Sequence, residues 1–259
     1  NLTEFGPFLV KHTAVFILHA QRHQKVHRLV IRDDILLFPV MIQFHKTMAD
    51  FFNIHTHVSV HPESEILSLA PEELSTDNPS FYASVGIHPW TLTEENADIQ
   101  WKALHESIKD KRIVAIGECG LDKLKGPSME LQTAVFKQEA ALAEDSSLPL
   151  IIHCVKAFNE LIQLKKEISP RQSWIIHGFR GKLPLALDCI RHGFYLSIGS
   201  HFQENTLKAI PLDRLFIETD ESEESIESIY QRIAEIKGIS QQELLEAINK
   251  NVREVFFKA

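Results

Sequence analysis

Six side chains that could share divalent cations stand out by type and position. They are His55 and His57 in His55-Thr56-His57, Glu118 in Gly117-Glu118-Cys119-Gly120-Leu121-Asp122, His153, His177 in His177-Gly178-Phe179, and Asp220 in Glu218-Thr219-Asp220. Each offers an imidazole nitrogen or a carboxylate oxygen, and each ends or follows a short apolar run. In an extended strand side chains repeat every two residues, so His55 and His57 point the same way and can grip one cation. A lone histidine at a strand end is more often a hydrogen-bonded structural residue. Four histidines and two carboxylates from five runs, all at one end, do not fit that explanation. Buried without a cation they would leave several polar groups unpaired, at about 1–3 kcal/mol each. Imidazole and carboxylate without thiolate suit Zn²⁺, Mn²⁺ or Fe²⁺, and Mg²⁺ less well. The three cysteines, Cys119, Cys154 and Cys189, are far apart and form no CxxC. That argues against a disulfide framework or a cysteine-built zinc site.

These groups need elements that bring them to one place. Eight short apolar runs recur from residue 51: Phe51–His55, Glu65–Leu69, Phe81–Gly86, Arg112–Gly117, Leu148–His153, Ser173–His177, Phe194–Ile198 and Arg214–Glu218. Val114-Ala115-Ile116, Leu150-Ile151-Ile152 and Trp174-Ile175-Ile176 show no polar alternation, as in parallel strands buried on both faces. Helix-period stretches lie between the runs, among them Ile99–Lys109, Met129–Ala143, Ala157–Ile168 and Gln242–Phe257. Alternating strand and helix implies parallel pairing, and eight such units close into an α/β barrel of the TIM (β/α)8 type. In that fold chemistry sits at the C-terminal ends of the strands, where these six residues fall. The first connection, Val58–Ser64, is too short for a full helix, so the barrel is expected to be slightly irregular there.

The working domain is read as residues 48–259, the barrel that carries the candidate metal ligands. Residues 1–47 differ in carrying six basic against three acidic side chains and five of the 14 histidines. They are read as an N-terminal appendage or an upstream extension. The whole chain has 259 residues, 44% hydrophobic and 24% charged, with net charge −8. That composition excludes disorder as the main state and argues against a broad basic face for coating duplex DNA. A nuclease that holds phosphate through cations is still compatible with it. No run reaches the ~18 apolar residues of a membrane span, and Thr13–Ala20 lacks a clean signal-cleavage site. Dispersed cysteines suit a reducing compartment, so a cytoplasmic location is expected; the chain is read as a monomer, on which the sequence itself is silent.

From residue 51 to 257 the chain resembles the TatD family of metal-dependent deoxyribonucleases, within the amidohydrolase-like barrels. The resemblance rests on an ordered set: Asn53-Ile54-His55-Thr56-His57, Gly86-Ile87-His88-Pro89, Gly117-Glu118-Cys119-Gly120-Leu121-Asp122, His153, His177-Gly178-Phe179 and Glu218-Thr219-Asp220. Gln132, Phe136, Gln138 and Ala143, and Asn251, Arg253 and Phe256 near the end, also match family positions. The resemblance implies two divalent ions (Zn, Mn or Mg). His55 and His57 would hold one, with Asp220 beside it. Glu118 would bridge to the second, completed by His153 and His177, while His88 reaches toward the substrate phosphate. DNA, as single strands or ends, would be the substrate of an exonuclease.

Three departures separate this chain from the family pattern. Asn53 stands where the family has Asp, Val155-Lys156 where it has Arg two residues after the histidine, and Glu221-Ser222-Glu223-Glu224 where it has Ala-Pro. The expected chemistry is phosphodiester hydrolysis, with Asp220 as general base and Glu118 holding the ions. His88 and Lys156 would steady phosphate oxygens (Arg180 being a further candidate for Lys156's part), while Asn53, Asp122 and Glu218 orient the ligands. Asp122 could instead cap the following turn. Trp90 and Phe179 could stack on a base or simply pack at the rim, and Cys119 reads as a packing residue. Two other functions fit the same fold: a metal-dependent hydrolase of a small amide, lactone or phosphoester, and a non-catalytic binding protein.

Overall fold

Uninterrupted apolar runs can hide only inside a layered structure, and these runs form its strands. The computed structural model describes residues 51–74 and 81–257; the reading of residues 1–47 lies outside them. The strands are β1 (Asn53–Thr56), β2 (Glu65–Leu69), β3 (Tyr82–Val85), β4 (Ile113–Asp122), β5 (Leu150–Val155), β6 (Trp174–Ile176), β7 (Tyr195–Ile198) and β8 (Leu215–Ile217). They pair in parallel and in chain order. A parallel bridge between Thr56 and Asp220 joins the two edges. There the Asp220 N–H donates to the His55 carbonyl at 3.0 Å and the His57 N–H to the Asp220 carbonyl at 3.4 Å. The sheet thus curls into the expected TIM-type barrel.

The described helices are α1 (Ala97–Ser107), α2 (Met129–Ser146), α3 (Phe158–Ile168), α4 (Leu183–Arg191), α5 (Glu204–Ala209), α6 (Ile226–Lys237) and α7 (Gln241–Phe256). Ser128, Ser225 and Ser240 cap α2, α6 and α7 by accepting from the N–H three residues on. No helix forms between β1 and β2, as the short connection requires. The loop is tied down by the buried Glu65 carboxylate, which accepts from the N–H groups of Val60 (3.0 Å) and His61 (2.8 Å) and from the Ser59 hydroxyl. The Asn251 amide on α7 donates to the carbonyls of Leu212 (2.7 Å) and Leu215 (3.0 Å), satisfying the chain as it enters β8.

One strand differs from expectation in a way that matters. The run Arg112–Gly117 reads as ending at the glycine, with Glu118 in the turn beyond it. Instead β4 continues to Asp122, and Glu118 lies inside the strand. The register against β5 slips between Ile116 and Cys119, so β4 spends one more residue than its partner there. Gly117 (φ 150°) lies inside the slip, where a Cβ would stand 2.4 Å from the Ile151 carbonyl oxygen, and just beyond it Gly120 lets β4 approach His153 as closely. These glycines permit a bulged, closely paired strand.

Candidate metal centre

β1 sends His55 and His57 to the barrel mouth. Asp220, just beyond β8, turns back over the same place from a left-handed backbone (φ 57°) that Asp tolerates better than most residues. His55 Nε2 lies 3.4 Å from Glu118 Oε2 and 3.6 Å from Asp220 Oδ1; His57 Nε2 lies 3.5 and 3.6 Å from the same two oxygens. Donors about 2.0–2.2 Å from a tetrahedral ion stand roughly 3.3–3.6 Å apart. These are spacings of atoms that can share a divalent cation, and His55, His57 and Asp220 form one candidate ligand set, with Glu118 Oε2 beside both imidazoles. His55 Nε2 is buried and has no hydrogen-bond partner among the described residues, which is the condition of a ligand atom rather than of a structural imidazole.

The other oxygen of Glu118 faces a second group. Oε1 lies 2.7 Å from His177 Nε2, 2.9 Å from His153 Nδ1 and 2.9 Å from His88 Nε2. Three imidazole nitrogens thus crowd one oxygen at hydrogen-bond lengths; His88 and His153 form one candidate ligand set with Glu118, and His177 forms another with Glu118 and His55. His88, expected to reach toward substrate, turns its Nε2 into this group. The four histidines expected to hold metal therefore converge on the two oxygens of Glu118, with His88 added, and Asp220 faces His55 and His57.

The supporting contacts explain the acidic partners. Asp122 does both jobs considered for it, one per oxygen. Oδ2 lies 3.0 Å from His153 Nε2 and accepts from the Trp90 indole N–H at 2.7 Å, while Oδ1 caps the turn through the N–H groups of Leu124 (2.7 Å) and Lys125 (3.1 Å). Glu218 Oε1 accepts from the Gly178 N–H at 2.6 Å and stands 3.5 Å from His177 Nδ1. Asn53 reaches across the closing seam: its amide donates to the Thr219 hydroxyl at 2.8 Å and accepts from the Thr219 N–H at 3.1 Å. Its amide thus positions the residue before Asp220.

Two further contributors come from α2: Gln132, which matches a family position, and Glu139, which carries no motif. Gln132 clamps the backbone of Asp122, accepting from its N–H at 2.7 Å and donating to its carbonyl at 2.9 Å. Glu139, fully buried, accepts from the Ile87 N–H at 2.7 Å and so fixes the backbone before His88. Both lie on the stripe of α2 that also buries Val135, Phe136, Ala140 and Ala143. A polar residue on an apolar helical stripe is the sequence signal that could have found them. Of the two aromatic candidates, Trp90 is partly exposed at the rim. Phe179 is buried and packs edge-on against Phe158, which leaves it no face for a base. Cys119 is buried, with its thiol directed at the Ile151 carbonyl, and burial pushes its pKa well up. It packs, as expected.

The charges at the centre hold one another. Burial works against a charge on His55, yet the facing carboxylates of Asp220 and Glu118 outweigh it and raise its pKa to about 9. His177 is raised too: burial opposes the charge, and Glu118 followed by Glu218 overcomes it. Burial alone would raise Glu118, but His177, His153 and His55 hold it well below the usual carboxylate range. Asp220 is likewise lowered, chiefly by His55 against the effect of burial.

A cavity of about 1180 Å³ opens over this centre. Lys156, exposed and in a left-handed conformation (φ 57°), lines it, as does Arg180. Of the acidic stretch after Asp220, Glu221 lines the cavity, whereas Glu224 pairs with Arg232 at 3.2 Å.

The TatD related DNase family model matches residues 40–257. The chain is 32% identical over 210 residues to the metal-dependent hydrolase YabD of Bacillus subtilis, an alignment covering 71% of this chain and 80% of that one. It is 31% identical over 159 residues to a 3'-5' ssDNA/RNA exonuclease TatD of Erwinia tasmaniensis, covering 57% of this chain and 61% of that protein. In three dimensions it matches YjjV, a TatD homologue of Escherichia coli, with TM-score 0.68 at 20% identity, over 81% of this chain and 99% of that one. With the barrel, the carboxylate-centred histidines and a match from residue 40 to 257, the chain belongs to the TatD related DNase family.

Proposed function

We propose that the chain is a metal-dependent deoxyribonuclease that hydrolyses phosphodiester bonds at single-stranded DNA ends and holds two divalent ions. The observation that carries this reading is the division of Glu118, whose Oε2 faces His55 and His57 while its Oε1 faces His153 and His177. His55, His57 and Asp220 would hold one ion, His153 and His177 the other, and Glu118 both. When bound, such ions neutralise phosphoryl oxygens and make a water a better nucleophile near neutral pH.

The chain's own groups supply the rest. Asp220 is the most accessible acidic member of the set, with 26% of its side chain exposed. Its lowered pKa keeps it ionised at neutral pH, as a base that takes the proton of the attacking water must be. As the phosphorus–oxygen bond to the leaving strand breaks, that proton becomes available to the departing oxygen. Lys156 lines the mouth and would steady non-bridging phosphate oxygens, whereas His88 turns its Nε2 to Glu118 and accepts from the Trp90 N–H through Nδ1. Asp122 and Glu218 keep His153 and His177 in the tautomers their roles require.

Elemental analysis of the purified protein, joined to cleavage of end-labelled single-stranded DNA with and without chelator, tests the reading. Bound divalent metal and chelator-sensitive cleavage are expected. Turnover of a lactone or amide panel with no cleavage of DNA would replace it with the small-substrate hydrolase.

A further inference from the structure

The cavity extends well beyond the centre, and its walls differ in charge. Strand order places β5 and β6 across the mouth from β1 and its neighbours β2 and β8. On the β1 side the lining includes Glu73 after β2 and Glu221 after β8; on the far side it includes Lys156 after β5 and Arg180 and Lys182 after β6. Lys156, Arg180 and Lys182 are exposed, and none forms an ion pair with a described residue. Elsewhere on the barrel Arg112, Lys123 and Lys137 pair with carboxylates. On the same side the lining also includes Phe158 after β5 and Leu185 after β6, which are apolar.

We infer that this arm is a second subsite, which takes the phosphodiester units next to the scissile one as a single strand leaves the centre over β5 and β6. The inference rests on the nuclease reading and adds the direction of the strand and the residues that hold it. Three cations beside apolar side chains match the alternation of phosphate with sugar and base. A neutral lactone or amide would leave the cations without a function. Exposed cations bind a polyanion mainly by releasing its counterions, so each neutralised phosphate adds to the salt dependence of binding. The acidic side at Glu73 and Glu221 repels the same polyanion, and the two walls together give the strand one path.

The test is binding of a fluorescein-labelled, cleavage-resistant phosphorothioate 12-mer to the metal-loaded protein, measured by anisotropy across a series of NaCl concentrations. Arg180→Ala with Lys182→Ala should weaken binding about tenfold at low salt. It should also flatten the slope of log affinity against log salt by about 1.4, at roughly 0.7 for each single-strand phosphate left unneutralised. The same oligonucleotide with neutral methylphosphonate linkages beyond the terminal one should bind wild type and variant alike. Both side chains are exposed, and an unchanged circular dichroism melt confirms that the variant folds. An unchanged salt slope in a wild type that cleaves DNA would overturn the subsite alone. A wild type that neither binds nor cleaves the strand would overturn the nuclease reading along with it.

Discussion

Asp122 Oδ2 stands 3.0 Å from His153 Nε2, while the opposite nitrogen of that ring, Nδ1, faces Glu118 at 2.9 Å. One carboxylate thus sets the proton and the orientation of an imidazole whose other side is offered to a cation. Trp90 donates to the same Asp122 oxygen at 2.7 Å, so a rim residue is tied to the ligand set. Asp122→Asn should lower affinity for divalent metal by about 10–100-fold, the usual effect of removing a ligand's outer partner. Trp90→Phe should move it in the same direction by less. Competition with a chromophoric chelator measures both, and wild-type affinity in the Asn variant would defeat the assignment.

The centre makes the metal-free protein sensitive to pH in a definite direction. His55 has its pKa raised in the folded state, from 6.5 to about 9. The folded chain therefore holds that proton more tightly than the unfolded chain. The stability it contributes is full below about 6.5 and is lost as pH rises toward 9, at about 1.4 kcal/mol per pH unit for one proton. Glu118 acts oppositely: lowered in the fold, it contributes stability above its ordinary pKa that is lost as pH falls through the folded value. Denaturant unfolding in chelator should show stability declining between pH 6.5 and 9. Added metal should reverse the decline and release protons on binding, because ligand imidazoles must be neutral. Flat stability across that range would contradict the coupling.

Glu139 is a carboxylic acid that burial pushes well up in pKa, with one oxygen accepting from the Ile87 N–H at 2.7 Å. Glu139→Gln keeps that acceptor and should leave stability within about 1 kcal/mol. Glu139→Leu strands the buried N–H and should cost about 1–3 kcal/mol. It also loosens His88, so metal affinity should fall with it. Equal melting curves for the Gln and Leu variants would show that the hydrogen bond carries nothing.

Asn53 spends its amide on Thr219, donating to the hydroxyl and accepting from the N–H. In Asn53→Asp the carboxylate still accepts from the N–H, and the Thr219 hydroxyl can rotate to donate. The fold should survive with a change of about 1 kcal/mol or less. The added negative charge beside His55 should strengthen metal binding several-fold. A drop in metal affinity would mean that the amide donor itself is what the seam requires.

Much of this molecule was legible in its residues. Val114-Ala115-Ile116 and Leu150-Ile151-Ile152 lack polar alternation and lie inside β4 and β5, because such runs cannot face water on either side. His55 and His57 share a side because two-residue periodicity is local geometry. The spacing of polar types along the chain likewise placed His153, His177 and Asp220 at one end of the barrel. Tertiary structure decided which atoms meet. The run Arg112–Gly117 reads as ending at the glycine, yet in contact with β5 Gly117 and Gly120 let β4 bulge and carry Glu118 into the interior. The clamp of Gln132 on Asp122 joins a helix to a strand end, and the bond from Asn53 to Thr219 spans 166 residues of chain. Short-range periodicity is written in neighbouring residues, because bond geometry alone sets where their side chains point. Contacts across a closed ring depend on strand register and packing between distant segments, which exist only once the whole barrel has formed.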